Sequence, residues 1–137
     1  MFWCFHCYAL NEHATGPCDV CGEPVERPAN LSRVDSLVWT LSHPDADRAS
    51  LAAGILGRMR ARESIPALRA AVETGGDIFL RAQALRSLIA IEGVEPLRPW
   101  LERLSQVPPV IVRDVARQAL AGQAEEPRGG SGTAVVR

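Results

Sequence analysis

All four cysteines of this 137-residue chain fall within its first 21 positions, as Cys4-x-x-Cys7 and Cys18-x-x-Cys21, with ten residues between the pairs. Two thiolates two residues apart can hold one metal ion from a tight turn. Two such turns close a tetrahedral sulfur cage, the geometry Zn²⁺ takes in structural sites. The expected ligands are therefore Cys4, Cys7, Cys18 and Cys21, with one structural Zn²⁺ per chain. Two disulfides, four free thiols or a rubredoxin-like iron site are the alternatives for the same residues. A segment this short and polar buries no core of its own, so metal binding would supply its folding free energy, about 10–16 kcal/mol for small zinc modules. Four cysteine ligands leave no open coordination position, so a catalytic zinc is not expected. His6 and His13 are expected to face solvent or stand behind the ligands.

The rest of the chain must position this module. Its length fits one domain or one domain plus a small module. The net charge of −1 gives no overall pull toward nucleic acid or an anionic membrane. No run approaches the apolar length of a spanning helix, and the N-terminus lacks the basic and apolar regions of a secretory signal. Reduced, metal-bound cysteines then predict a cytoplasmic location. All 15 basic residues are arginine, a bias that points to a GC-rich coding sequence and a bacterial source.

Residues 1–28 read as the metal module, 29–121 as a helical domain and 122–137, polar and Gly-rich, as a disordered tail. From Leu31 the apolar residues recur at helical spacing, predicting helices near 31–42, 45–60, 64–74, 78–91, 94–104 and 109–121. His43-Pro44-Asp45, Gly75-Gly76-Asp77 and Gln106-Val107-Pro108-Pro109 punctuate them, with Asp45 and Asp77 as N-caps. The helices repeat. The block Glu63–Glu73 aligns with Glu92–Glu102, and Arg48, Arg81 and Arg113 each open a helix at nearly equal intervals. An interval of about 33 residues predicts a mainly α fold, a solenoid of three stacked helical hairpins. An ordinary six-helix bundle is the alternative. The run Leu80-Arg81-Ala82-Gln83-Ala84-Leu85-Arg86-Ser87-Leu88 resembles the second helix of HEAT repeats, in particular the short bacterial type also found in phycobilisome lyases. Ile65-Pro66-Ala67-Leu68 resembles their first helix.

The N-terminal module carries a second resemblance. Cys7-x3-Asn11-x6-Cys18, with Pro24 after the last cysteine, is similar to the interior of the Ran-binding-protein-type zinc finger, the family that includes the ubiquitin-binding NZF fingers. Phe2 holds the place of the family tryptophan, with Trp3 adjacent. Ubiquitin-binding members carry Thr-Phe where this chain has Tyr8-Ala9, while Val20 keeps the hydrophobic position before the fourth cysteine. RNA-binding members carry arginines where this chain has Ala14-Thr15-Gly16-Pro17, so base readout is not expected. Phe2, Trp3, Phe5, Tyr8, Leu10 and Val20 exceed what so small a module can bury. They either pack on the helices or form a protein-contact patch, with Trp3, Tyr8, Leu10 and Val20 as candidate partner-binding residues.

The arginines divide into two groups. Arg48, Arg81 and Arg113 are placed to pair with acids such as Asp45, Asp47, Asp77 and Asp114, as a structural ladder. Arg58-Met59-Arg60-Ala61-Arg62 closes a helix, where cations complement the negative end. Trp39 and Trp100 read as packing residues and His43 as a loop residue. No nucleophile–histidine–acid set or phosphate loop is visible, so no enzymatic activity is expected. The sequence reading is a non-enzymatic protein–protein adaptor. Arg58, Arg86 and Arg117 of the second helices would offer a concave face to an acidic protein segment. A nucleic-acid-associated zinc-finger protein, and a HEAT-like accessory subunit or chaperone of an enzyme, are the alternatives.

Overall fold

A computed structural model describes residues 1–125 of the chain. The N-terminal segment, 1–28, forms two tight cysteine turns joined by a small antiparallel pair, β1 (Phe2–Trp3) and β2 (Leu10–Asn11), in which Phe2 faces Asn11 and Trp3 faces Leu10. An isolated bridge between Pro17 and Pro24 closes the second turn. The strands are too short for alternation to reveal them in the sequence.

Six helices follow: α1 (Arg33–Thr40), α2 (Ala46–Met59), α3 (Ile65–Thr74), α4 (Ile78–Glu92), α5 (Arg98–Leu104) and α6 (Val110–Glu125). Their starts follow capping chemistry. Ser32 accepts the Asp35 N–H, Asp45 accepts the Asp47 N–H and Asp77 accepts the Leu80 N–H, each satisfying an orphan donor of a first turn. Helix α2 stops where Arg60 adopts a left-handed conformation (φ 52°). Helix α6 continues to Glu125, past the predicted end at 121, so the predicted tail does not begin at 122; Gln123 and Ala124 are good helix formers. The remainder of that predicted tail, 126–137, lies outside the described residues.

The hairpins repeat in a register that differs from the block alignment of 63–73 with 92–102. A 3₁₀ turn at Arg62–Ser64 leads into α3, and the corresponding turn at Glu95–Leu97 leads into α5. Pro66 and Pro99 therefore hold the same place in successive repeats, separated by the same interval as Arg48 and Arg81. The sequence alignment slipped by about one helical turn, which preserves an apolar face. Proline fixes the true register because it fits the first helical turn, where its missing N–H costs nothing.

Helix α4 is the centre of the stack, packed against α2, α3 and α6. It buries Leu80, Ala82, Ala84, Leu85, Ser87, Leu88 and Ile91, an apolar surface on most sides that suits a helix with neighbours on most sides. The α2–α4 contact is very close: a Cβ at Gly57 would meet the Ser87 side chain at 2.5 Å. The Ser87 hydroxyl donates to the Ala53 carbonyl across that contact (2.6 Å), which satisfies a buried polar group. Helix α3 is tied to α5 by the Arg69 guanidinium, 4.1 Å from the centre of the Trp100 ring.

Candidate functional site

The two cysteine turns share one hydrogen-bond plan. In the first, the Cys4 N–H donates to the Ala9 carbonyl, the Tyr8 N–H to the Cys4 carbonyl and the His6 N–H to the Cys4 sulfur. In the second, Cys18 N–H donates to Glu23, Gly22 N–H to Cys18 and Val20 N–H to the Cys18 sulfur. The fifth residue of each turn is left-handed, Tyr8 at φ 67° and Gly22 at φ 82°. Asn11 locks the turns together. It is fully buried, donates to the Ala9 carbonyl and the Cys18 sulfur, and accepts the Asp19 N–H.

The plan brings the four sulfurs within 4.8 Å of one another. Cys4 and Cys21 are 3.7 Å apart, as are Cys7 and Cys18. No disulfide links them. A tetrahedron with metal–sulfur bonds of about 2.3 Å has edges of about 3.8 Å, so the four cysteines fit a single tetrahedral ion. Their proton affinities also fit. The Cys21 and Val20 N–H groups, aided by Asn11, hold the Cys18 thiol down at about 6. The Glu23 N–H pulls Cys21 the same way, but burial and the three neighbouring thiols outweigh it and push Cys21 up to about 12. At Cys7 the Ala9 N–H is likewise overcome, and the thiol sits above its ordinary value through burial and its neighbours. Four thiolates this close repel one another, and a divalent cation bound between them would supply the compensating charge. His6 is exposed, and His13 hydrogen-bonds the Pro17 carbonyl; neither reaches the sulfur cluster.

The candidate apolar contact residues of the module fall into two sets. Phe5 stacks on Trp39 of α1 with ring centres 4.4 Å apart and planes 7° apart. Tyr8 stacks on the same indole at 4.7 Å and donates its hydroxyl to the Trp39 carbonyl (2.6 Å). Trp3 meets His43 edge-on at 4.7 Å. Trp3 and Tyr8 are thus turned onto the helices, while Leu10 (47% exposed) and Val20 (73%) face solvent. His43 is no simple loop residue. It is 7% exposed, and its Nδ1 accepts the Asp45 N–H, which fixes the neutral ring with its proton on Nε2. Burial and the Arg48 charge, partly opposed by Asp45, lower its pKa from the ordinary 6.5. Nothing in the local sequence marks His43 or Trp39 as a docking platform, since both depend on where the module folds back.

The arginines also divide by contact. Arg48 pairs with Asp45 at 3.6 Å and Arg113 with Asp114 at 3.7 Å, but Arg81 donates to the Val72 carbonyl, so the expected acid-paired ladder holds at two of its three rungs. Arg60 and Arg62 donate to the Ala90 and Ile91 carbonyls at the end of α4, complementing the negative end of the neighbouring helix as well as that of their own. Arg58 and Arg86 line one groove of about 520 Å³ between α2 and α4, together with Arg60, Gly54 and Gln83. Arg117 lies elsewhere, on α6, and its Nε donates to the Ser105 carbonyl. The structure therefore joins Arg58 with Arg86 and leaves Arg117 apart. No helix among the described residues is long and apolar enough to cross a membrane.

A family model described as HEAT repeats matches residues 34–121, from the first helical turn of α1 into α6, and does not extend to the cysteine module. Comparison with curated proteins and with solved structures gives no match.

Proposed function

Because the chain belongs to the HEAT-repeat family over residues 34–121, we propose that it acts as a non-enzymatic protein–protein adaptor. HEAT repeats generally mediate contacts between proteins. The observation that carries the reading is the open face of α2 and α4. Arg58 and Arg86 stand exposed there, and no carboxylate among the described residues lies within ion-pair reach of either. In this reading Cys4, Cys7, Cys18 and Cys21 hold one Zn²⁺ with a structural role, four soft ligands in a closed set. The zinc module caps the stack at α1 through Phe5, Tyr8 and Trp3, and leaves the second helices free for a partner. A nucleic-acid role is less well supported, because Arg60 and Arg62 are engaged by backbone carbonyls.

The test is affinity capture from an extract of the source organism, comparing the intact chain with Arg58→Glu/Arg86→Glu. The captured protein is then purified and its affinity for both forms measured. A partner whose binding falls at least about tenfold in the double variant is expected, from the loss of two charge-assisted contacts. Finding no partner, or one indifferent to the double change, would count against the adaptor reading.

A further inference from the structure

We propose that the outward faces of α2 and α4 form a cradle for an acidic amphipathic helix of a partner protein. The proposal rests on reading the chain as an adaptor, and adds the shape and chemistry of what it binds. On α2, Leu51 is 61% exposed and exposed Arg58 follows two turns later. On α4, Phe79 is 61% exposed and exposed Arg86 follows at the same interval. An interval of seven is close to two helical turns, so each pair lies on one face, about 10.5 Å apart along its helix.

The pairs on α2 and α4 also stand level. A Cβ at Gly54 would lie 3.6 Å from the Gln83 amide nitrogen, and one at Gly57 would lie 2.7 Å from the Ser87 Cβ. Those contacts set the heights of the two helices against each other. Carried along each axis, they place Leu51 beside Phe79 and Arg58 beside Arg86, each to within about 3 Å of height. The result is two rows crossing the helices, one apolar and one cationic. Gly54 and Gln83 lie between the rows along the helices, the Arg58 guanidinium leans back over Gly54, 3.5 Å from a Cβ placed there, and these residues line the 520 Å³ groove together with Arg86.

The dimensions select the occupant. An α-helix with its side chains is about 10–12 Å across, close to the backbone spacing of the rows, and the Arg58 guanidinium reaches back over Gly54 to where such a helix would lie. Packed helices lie about 8–10 Å apart, so a helix laid across them meets a new row member roughly every second turn. Its apolar residues should recur at that spacing on one flank and its carboxylates on the other. Carboxylates are required because Arg58 and Arg86 have no acidic partner of their own among the described residues, and guanidinium forks grip carboxylates two bonds at a time. Leu51 and Phe79, too exposed to serve the core, supply the apolar side.

The probe is a synthetic helical peptide with leucine every seventh residue on one flank, glutamate every seventh on the other, and alanine and glutamine elsewhere. Binding is measured by fluorescence anisotropy against the full chain, with melting curves to show that each variant folds. The glutamate peptide should bind the intact chain, bind Phe79→Glu at least about tenfold more weakly, and fail to bind Arg58→Glu/Arg86→Glu. A peptide with lysine in place of glutamate should show the reverse, binding only the double variant. Failure of the glutamate peptide to bind, equal binding to the double variant, or equal binding of a scrambled peptide overturns the cradle. If the peptide fails while the captured partner remains dependent on Arg58 and Arg86, the cradle is wrong and the adaptor reading stands. If both fail, both fall.

Discussion

The two cysteine turns are built on one backbone plan and do different work. Each places its cysteines by the same three hydrogen bonds, and each needs a left-handed residue in fifth place. The second turn uses Gly22 there, which adopts φ 82° without strain. The first uses Tyr8, whose Cβ makes the same conformation unfavourable by about 1–2 kcal/mol. The difference is explained by what surrounds them. Nothing lies within 4 Å of a Cβ added at Gly22, whereas the Tyr8 ring stacks on Trp39 and its hydroxyl bonds the Trp39 carbonyl. The placement of the four sulfurs depends on the backbone plan that both turns share. Attachment to the helices depends on Phe5 and Tyr8, whose counterparts in the second turn are Asp19 and Gly22. A small four-cysteine module can thus fold by one set of residues and dock by another.

Metal removal should break the comparison altogether. Chelation, or Cys18→Ser, is expected to release one Zn²⁺ per chain and unfold both turns, since metal binding contributes on the order of 10 kcal/mol to so small a module. Far-ultraviolet circular dichroism should stay largely helical, because the helical core contains no residue of the module. Freshly prepared, reduced protein with no bound metal would contradict it.

A smaller effect should separate docking from metal binding. Trp39→Ala removes the platform under Phe5 and Tyr8 and should destabilise the docked module by about 2–3 kcal/mol, from two lost aromatic pairs and their burial. The bound metal should remain at one per chain, while the connection at 26–32 becomes more open to protease. Val20→Ala, on the exposed part of the second turn, should change stability by no more than about 0.5 kcal/mol. Equal effects of the two substitutions would remove the distinction between the turns.

Two substitutions of modest effect sharpen the contrast at the fifth position. Gly22→Ala should destabilise by about 1 kcal/mol through conformation alone. Tyr8→Phe should cost a similar amount for the opposite reason, loss of one hydrogen bond with the backbone unchanged. The Gly22 change should weaken metal affinity, measured by competition with a chelator, and the Tyr8 change should leave it intact.

Several features were legible before any coordinates. The Cys-x-x-Cys spacing marked the four sulfurs, because two residues between ligands is a local constraint that the turn itself satisfies. Asp45 and Asp77 marked helix starts, because capping is also local. The repeat was legible as a period but not as a register. Apolar spacing tolerates a slip of one turn, and the 3₁₀ turns before Pro66 and Pro99 were needed to remove the ambiguity. Arg81 was expected to meet an acid and met the Val72 carbonyl instead, since the nearest acceptor is a matter of packing.

By itself the sequence determined the chemistry that acts over short stretches: which atoms can ligate, where helices begin, and that one helical-hairpin unit recurs along the chain. The tertiary structure alone decided which distant residues share a surface. It turned Trp3 and Tyr8 inward onto His43 and Trp39, left Leu10 and Val20 outside, and joined Arg58 with Arg86 in one groove while leaving Arg117 apart. The physical reason is that these pairings depend on the heights at which packed helices meet. Those heights are fixed by close contacts such as Gly57 against Ser87, which come from different repeats and whose meeting no local pattern records.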